Sequence, residues 1–248
     1  MSLFDSRAAG LVGTALGWAV SPLFALTSAL RHARTFHPSG GVFLAEVTPL
    51  GGHALGERVR GPALVRFSSA LWKGPREWVD ALGCALRFRH TVTPSAVADA
   101  DDQDLLFATI RRPWTMPFAP FTTNVHDFLA NDYDAVSPFT VPGFGRAFLR
   151  LHPEAYERGD SVAQSRMERL LSAVSRGDAK MRLEVRRAWH REWESVALVT
   201  LREPVEIDQE RLRFWPFRTG RGIVPRGLVH GLRRGVYTLS QWARPSHA

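Results

Sequence analysis

Between Gly41 and Ile110 the chain places four short runs of β-forming residues one after another, each closed by a turn, and this succession constrains the fold most. The runs are residues 41–48 (GVFLAEVT), 63–69 (ALVRFSS), 85–90 (ALRFRH) and 104–110 (DLLFATI). Residues 91–103 form a loop holding Pro94 and several aspartates. Its DADD stretch lacks the glycine and closing glutamate of a calcium loop, so solvated aspartates are expected there. Residues 124–133 read as helical and 137–145 as a Pro/Gly connector, while 160–176 form a strongly helical run with Met167, Leu170, Leu171 and Val174 apolar. Two further β runs, 181–189 and 195–201, suggest a hairpin, and a last helix is expected over 226–242. Strands followed by helices point to an α+β chain, with an antiparallel barrel and helices packed on it as the favoured architecture.

Composition narrows the partners. In 248 residues, 45% are hydrophobic and 23% charged, which excludes disorder over most of the chain. Cys84 is the one cysteine, so no intrachain disulfide and no Cys-rich metal module can form; it reads as a small core residue on a strand. The net charge is +8 and the cations are mostly arginine, a residue suited to two-pronged anions such as carboxylate and phosphate. The arginines are dispersed and no recognition module is legible, which argues against nucleic acid. Residues 8–30 carry no charge and are bracketed by Arg7 and Arg31. Three readings of that stretch stay open: a helix packed on the protein, a membrane-surface contact or anchor, and a cleaved signal. The domain reading is an apolar amino-terminal helix over 1–33 and one domain over 34–248, in the cytoplasm, with membrane association through residues 8–30 and homo-oligomerisation both open.

No HExxH, paired CxxC, Walker-type loop or GxSxG elbow occurs. His190, Glu192 and Glu194 read as a solvated face, and Gly220 and Gly222 as a weak signal for backbone approach to an anion. The informative residues lie near the two ends. Arg34-Thr35-Phe36-His37-Pro38-Ser39-Gly40 sets a cation, a histidine and a glycine at fixed spacing. In the run Val65-Arg66-Phe67-Ser68-Ser69, Arg66 and Ser68 point to one side. If that side faces His37, Ser68 can accept the ring N–H and leave the other nitrogen as a base. Near the carboxyl end, Leu228, Leu232, Gly235, Leu239 and Trp242 form an apolar stripe. Arg233, Tyr237 and Arg244 form a second one at i, i+4 and i+11. Either that second stripe is a solvated basic face, or Arg233 holds the Tyr237 oxygen as a phenolate, a ligand suited to ferric iron.

The ordered pieces resemble the haem catalase superfamily. RTFHPSG, closed by Glu46-Val47-Thr48, is similar to the family's distal R-x-x-H-x-x-G segment and following strand. VRFSS resembles VRFST, ALGCALRF resembles RGFAVKF, and DLLFATI lies where the family has D-L-V-G-N-N. RRGVYTLSQWAR resembles the proximal R-x-x-x-Y helix, with Arg244 seven residues past the tyrosine. The resemblance implies a barrel of catalase type that carries haem b. Tyr237 would be the iron ligand, Arg233 its charge partner, and Arg34, Arg66 and Arg244 the partners of the propionates. His37 would be the distal acid–base residue, oriented by Ser68. It would take a proton from the near oxygen of a bound hydroperoxide and return it to the departing oxygen.

Three departures qualify that implication. The family's distal asparagine falls near Ala108 or Thr109, and Thr109 offers only a hydroxyl. The chain lacks the threading arm, wrapping segment and carboxyl-terminal helical domain of ordinary catalases. Phe36 precedes the distal histidine where the family often has a smaller residue. The expected activity is therefore peroxidase-like conversion of hydrogen peroxide or organic hydroperoxides, lipid hydroperoxides included, with weak catalase activity at most. A non-catalytic haem-binding homologue and a cofactor-free basic binding module are the alternatives.

Overall fold

The β runs pair into one antiparallel sheet that closes on itself, in a computed structural model that describes residues 39–72, 76–156 and 164–227. The strands are β1 (Ser39–Pro49), β2 (Gly61–Ser69), β3 (Leu82–Phe88), β4 (Gln103–Ala108), β5 (Tyr133–Asp134), β6 (Phe139–Val141), β7 (Gly145–Pro153), β8 (Lys180–Arg187), β9 (Glu194–Pro204) and β10 (Val224–Pro225). Eight of them follow one another around a barrel in the order β7-β5-β4-β3-β2-β1-β9-β8, and pairing of β8 with β7 closes it. β6 and β10 extend the sheet beside β7 as a short flap.

The period-two pattern decides what fills the barrel. Phe43, Ala45 and Val47 of β1 meet Ala63, Val65 and Phe67 of β2, and Cys84, Leu86, Leu105 and Phe107 continue the layer across β3 and β4. Leu149, Leu151, Leu183, Val185, Val199 and Leu201 complete it from the other half. The opposite face of β1–β4 is not left to water. Residues 205–215 cross it, with Val205 N–H donating to Val42 O at 2.8 Å and Leu212 and Phe214 packing on Val42 and Leu64. Strand β2 is therefore buried on both faces over most of its length.

Several sequence expectations need correction. Residues 124–133 are not a helix: Asn124, Asp127 and Asn131 side chains accept backbone N–H groups locally, and only Phe128–Ala130 forms a 3-10 turn. Short polar side chains that bond their neighbouring backbone compete with the helical ladder. Tyr133, at the end of that stretch, joins β5 and donates its hydroxyl to Phe128 O at 2.8 Å. The connector 137–145 contains β6, and the strand over 181–189 stops at Arg187, after which Trp189 takes φ 75°. The expected hairpin forms as β8 and β9. Arg226 and Gly227 lie outside any helix, and the rest of the expected 226–242 helix lies outside the described residues, as does the stretch 8–30.

The helix over 160–176 is observed as Arg166–Arg176. Ser165 caps it by accepting from Glu168 N–H while Glu168 accepts from Ser165 N–H, and Gly177 closes it at φ 77°. Arg166 anchors it, donating to Val125 O and Arg76 O at 3.1 and 3.0 Å. Ser165→Ala removes one half of the reciprocal cap and is expected to cost about 1 kcal/mol, read as a shift of the urea midpoint at unchanged slope.

Candidate functional site

The register of β1–β4 sets out the face that carries Arg66 and Ser68. Gly40 lies opposite Ser68, Ser68 opposite Gly83, and Gly83 opposite Ala108, so four small residues form one row across four strands. The next row holds Val42, Arg66, Ala85 and Leu106. Directly opposed residues share a face, and this is the face away from the packed interior. Such a row is flat because no side chain in it exceeds a hydroxymethyl.

Gly40 is required here for space. A Cβ on it would stand 2.1 Å from Phe67 O and 3.1 Å from the guanidinium carbon of Arg66. Arg66 and Ser68 are both buried. Arg66 Nε donates to Gln209 Oε1 at 3.3 Å, and Gln209 Nε2 donates to Gly40 O at 3.0 Å. Gln209 thus bridges the covering segment to both rows and steadies the arginine of the second. Nothing in the strand pattern points to it.

Thr109 follows β4 and lies opposite Leu82, one position beyond the row. Its Oγ1 accepts from Leu82 N–H at 3.0 Å and lies 2.7 Å from Thr123 Oγ1, whose own hydroxyl donates to Ala119 O at 2.7 Å. The Thr109 hydroxyl is thus engaged by Leu82 and Thr123. Ala108, which offers no hydrogen-bonding side chain, is the residue in the Ser68 row. Arg34, His37, Arg233, Tyr237 and Arg244 lie outside the described residues.

The covering segment is held by a buried charge cluster that the sequence reading did not single out. Arg87 and Asp104 are fully buried neighbours on β3 and β4, joined at 2.9 Å (Nε–Oδ1) and 3.2 Å (Nη2–Oδ2). Asp104 also accepts from Trp215 N–H at 2.7 Å and from Arg218. A charged residue within each of two largely apolar strand runs was the available signal, and the register then sets the two opposite each other.

Beyond the β4 end of the row, a cleft of about 1100 Å³ is lined by Thr109, Phe118, Asn131, Asp132, His152 and Arg182 among others. His152 Nδ1 lies 2.6 Å from Asp132 Oδ1, and Arg150 lies 3.5 Å from the other Asp132 oxygen. The pair orients the ring, but among the described residues no hydroxyl or thiol is hydrogen-bonded to the histidine. Nearby, burial pushes Asp134 up to about 6, the negative Asp132 adds to this, and Arg150, Arg111 and Arg186 oppose it. A carboxyl raised in the fold favours the folded state at low pH, and that contribution is lost as pH rises through about 6. Asp134→Asn should therefore raise the melting temperature at pH 7.5 and leave it unchanged near pH 4, which paired melting curves will show.

Other sequence candidates take structural roles. Gly220 admits the backbone of Asp101, since a Cβ there would stand 2.3 Å from Asp101 C, so packing alone requires a glycine there. The aspartates of the DADD stretch are not all solvated: Asp102 is fully buried, and both it and Asp99 lie against Arg89. His190, Glu192 and Glu194 are exposed, and no group of metal-ligating side chains occurs among the described residues. Cys84 is buried on β3, and burial pushes its thiol well up, which removes the reactive thiolate. No protein-family model and no curated protein matches the chain.

Proposed function

We propose that the protein is a minimal catalase-like haem peroxidase that converts hydrogen peroxide or organic hydroperoxides, lipid hydroperoxides included. One observation carries the reading. The motif segments that resemble the catalase superfamily supply four consecutive antiparallel strands of one eight-stranded barrel, and their matching positions Gly40, Ser68 and Ala108 fall in a single row.

Two features of the described residues support a flat dianionic macrocycle as the ligand. A row of small side chains offers a smooth floor, and the buried guanidinium of Arg66 beside it suits a carboxylate. Tyrosine chemistry points the same way. Tyr237 is the iron ligand that the resemblance implies, while the other two tyrosines are engaged elsewhere, Tyr133 donating to Phe128 O and Tyr156 to Asp127. When bound, haem supplies the iron centre at which the peroxide O–O bond is cleaved.

The chain's own residues do the rest. Arg34, Arg66 and Arg244 would hold the propionates, and Arg233 would keep the Tyr237 oxygen anionic. His37, its ring steadied by Ser68, would move a proton from the proximal to the distal oxygen of the hydroperoxide, so that water or an alcohol departs. Ala108 brings no hydrogen-bond donor to the row, and this favours reduction by a separate donor over disproportionation of hydrogen peroxide.

His37→Ala in haem-loaded protein is expected to slow the reaction with hydroperoxide roughly 10²- to 10⁴-fold, as loss of a general acid–base residue does. Stopped-flow mixing with cumene hydroperoxide measures it. A rate equal to that of the unaltered protein would remove the catalytic assignment.

A further inference from the structure

An exposed aromatic ridge begins beyond Thr109, to which Thr123 at its far end is joined at 2.7 Å. The 3-10 helix Pro113–Phe118 and the adjoining helix Ala119–Thr122 leave Trp114, Met116, Phe118 and Phe121 facing water, at 59%, 48%, 64% and 76% exposure. Four large apolar side chains exposed within eight residues concentrate apolar surface in the way that marks an interaction surface. Pro113, Pro117 and Pro120 stiffen the segment, so little conformational freedom remains to be lost on contact.

Charge selects the occupant. Arg111 and Arg112 are exposed at the start of the ridge, and Arg112 stacks over Trp114 at 5.3 Å. No acidic residue occurs between Asp104 and Asp127. A tryptophan, two phenylalanines and a methionine flanked by arginines match an anionic bilayer surface. Aromatic rings settle at headgroup depth there and guanidinium groups meet lipid phosphates. The chain's own stretch 8–30 carries no charge and offers the arginines nothing. A second copy brings the same +8 charge.

We infer that residues 111–122 dock the protein peripherally on anionic lipid membranes. Thr115, Phe118, Ala119 and Thr122 also line the 1100 Å³ cleft, so docking would set the cleft beside the lipid surface. The inference does not depend on haem.

The test is flotation of the full chain with vesicles of phosphatidylcholine and phosphatidylglycerol in equal parts, and with vesicles of phosphatidylcholine alone. The protein should float with the anionic vesicles and much less with the neutral ones. Both the triple variant W114S/F118S/F121S and the double variant R111E/R112E should reduce the bound fraction at least tenfold. Circular dichroism and melting curves should match the unaltered protein, since all five side chains are exposed. Three results would overturn the inference. The variants could float as well as the unaltered protein, which would assign binding to residues 8–30 or another face. The unaltered protein could fail to float. Gel filtration could show a dimer that the triple variant breaks, which would make a second copy the occupant.

Discussion

Replacing Asp104 by alanine is expected to destabilise the protein by about 3–5 kcal/mol, because it strands the Arg87 charge inside the barrel wall. Both side chains are fully buried and joined twice, at 2.9 and 3.2 Å. The same carboxylate accepts from Trp215 N–H and Arg218, so its loss also frees the segment that covers the outer face of β1–β4. Against a total stability of ~5–15 kcal/mol, such a loss is a large fraction. At ~2–4 °C per kcal/mol for a chain of this size, the melting temperature should fall by roughly 6–20 °C. R87M combined with D104L should lose less than D104A alone, since the fully buried Arg87 charge is removed with its partner and only the partly exposed Arg218 and the Trp215 N–H lose their acceptor. A D104A protein within about 1 kcal/mol of the unaltered one would show that the cluster does not hold the fold.

The second large effect concerns haem. Tyr237→Phe keeps the ring and removes the oxygen, so the proposed anionic ligand is lost with the smallest change of side-chain shape. Haem affinity should fall by more than the roughly 10- to 100-fold that follows removal of an outer partner of a metal ligand. Arg233→Ala, which would remove such a partner, should fall within that range. Equilibrium titration followed by absorbance ranks the two variants. Equal affinities for both variants and the unaltered protein would remove Tyr237 from the site.

How far the sequence could be read differs by element, for physical reasons. Strands β1–β4 were legible because alternating runs closed by turns leave few other ways to bury one face. That Arg66 and Ser68 share a face followed from the same period of two. Strands β5, β6 and β10 are two or three residues long and exist only through pairing with β7, β4 or each other, so no local pattern announces them. The stretch 124–133 misleads because its apolar spacing looks helical while Asn124, Asp127 and Asn131 bond their own backbone. Gln209 meets Arg66 from 143 residues away and was invisible for that reason. The buried partnership of Arg87 with Asp104 needed the strand register, which places them opposite each other.

Haem titration of the purified chain addresses the central claim most directly. Ferric haem added in steps should produce a sharp Soret band that saturates at one equivalent per chain. R66A should weaken the binding and Y237F should alter the band itself. A chain that takes up no haem, or one whose band is the same in Y237F and R66A as in the unaltered protein, would contradict the account.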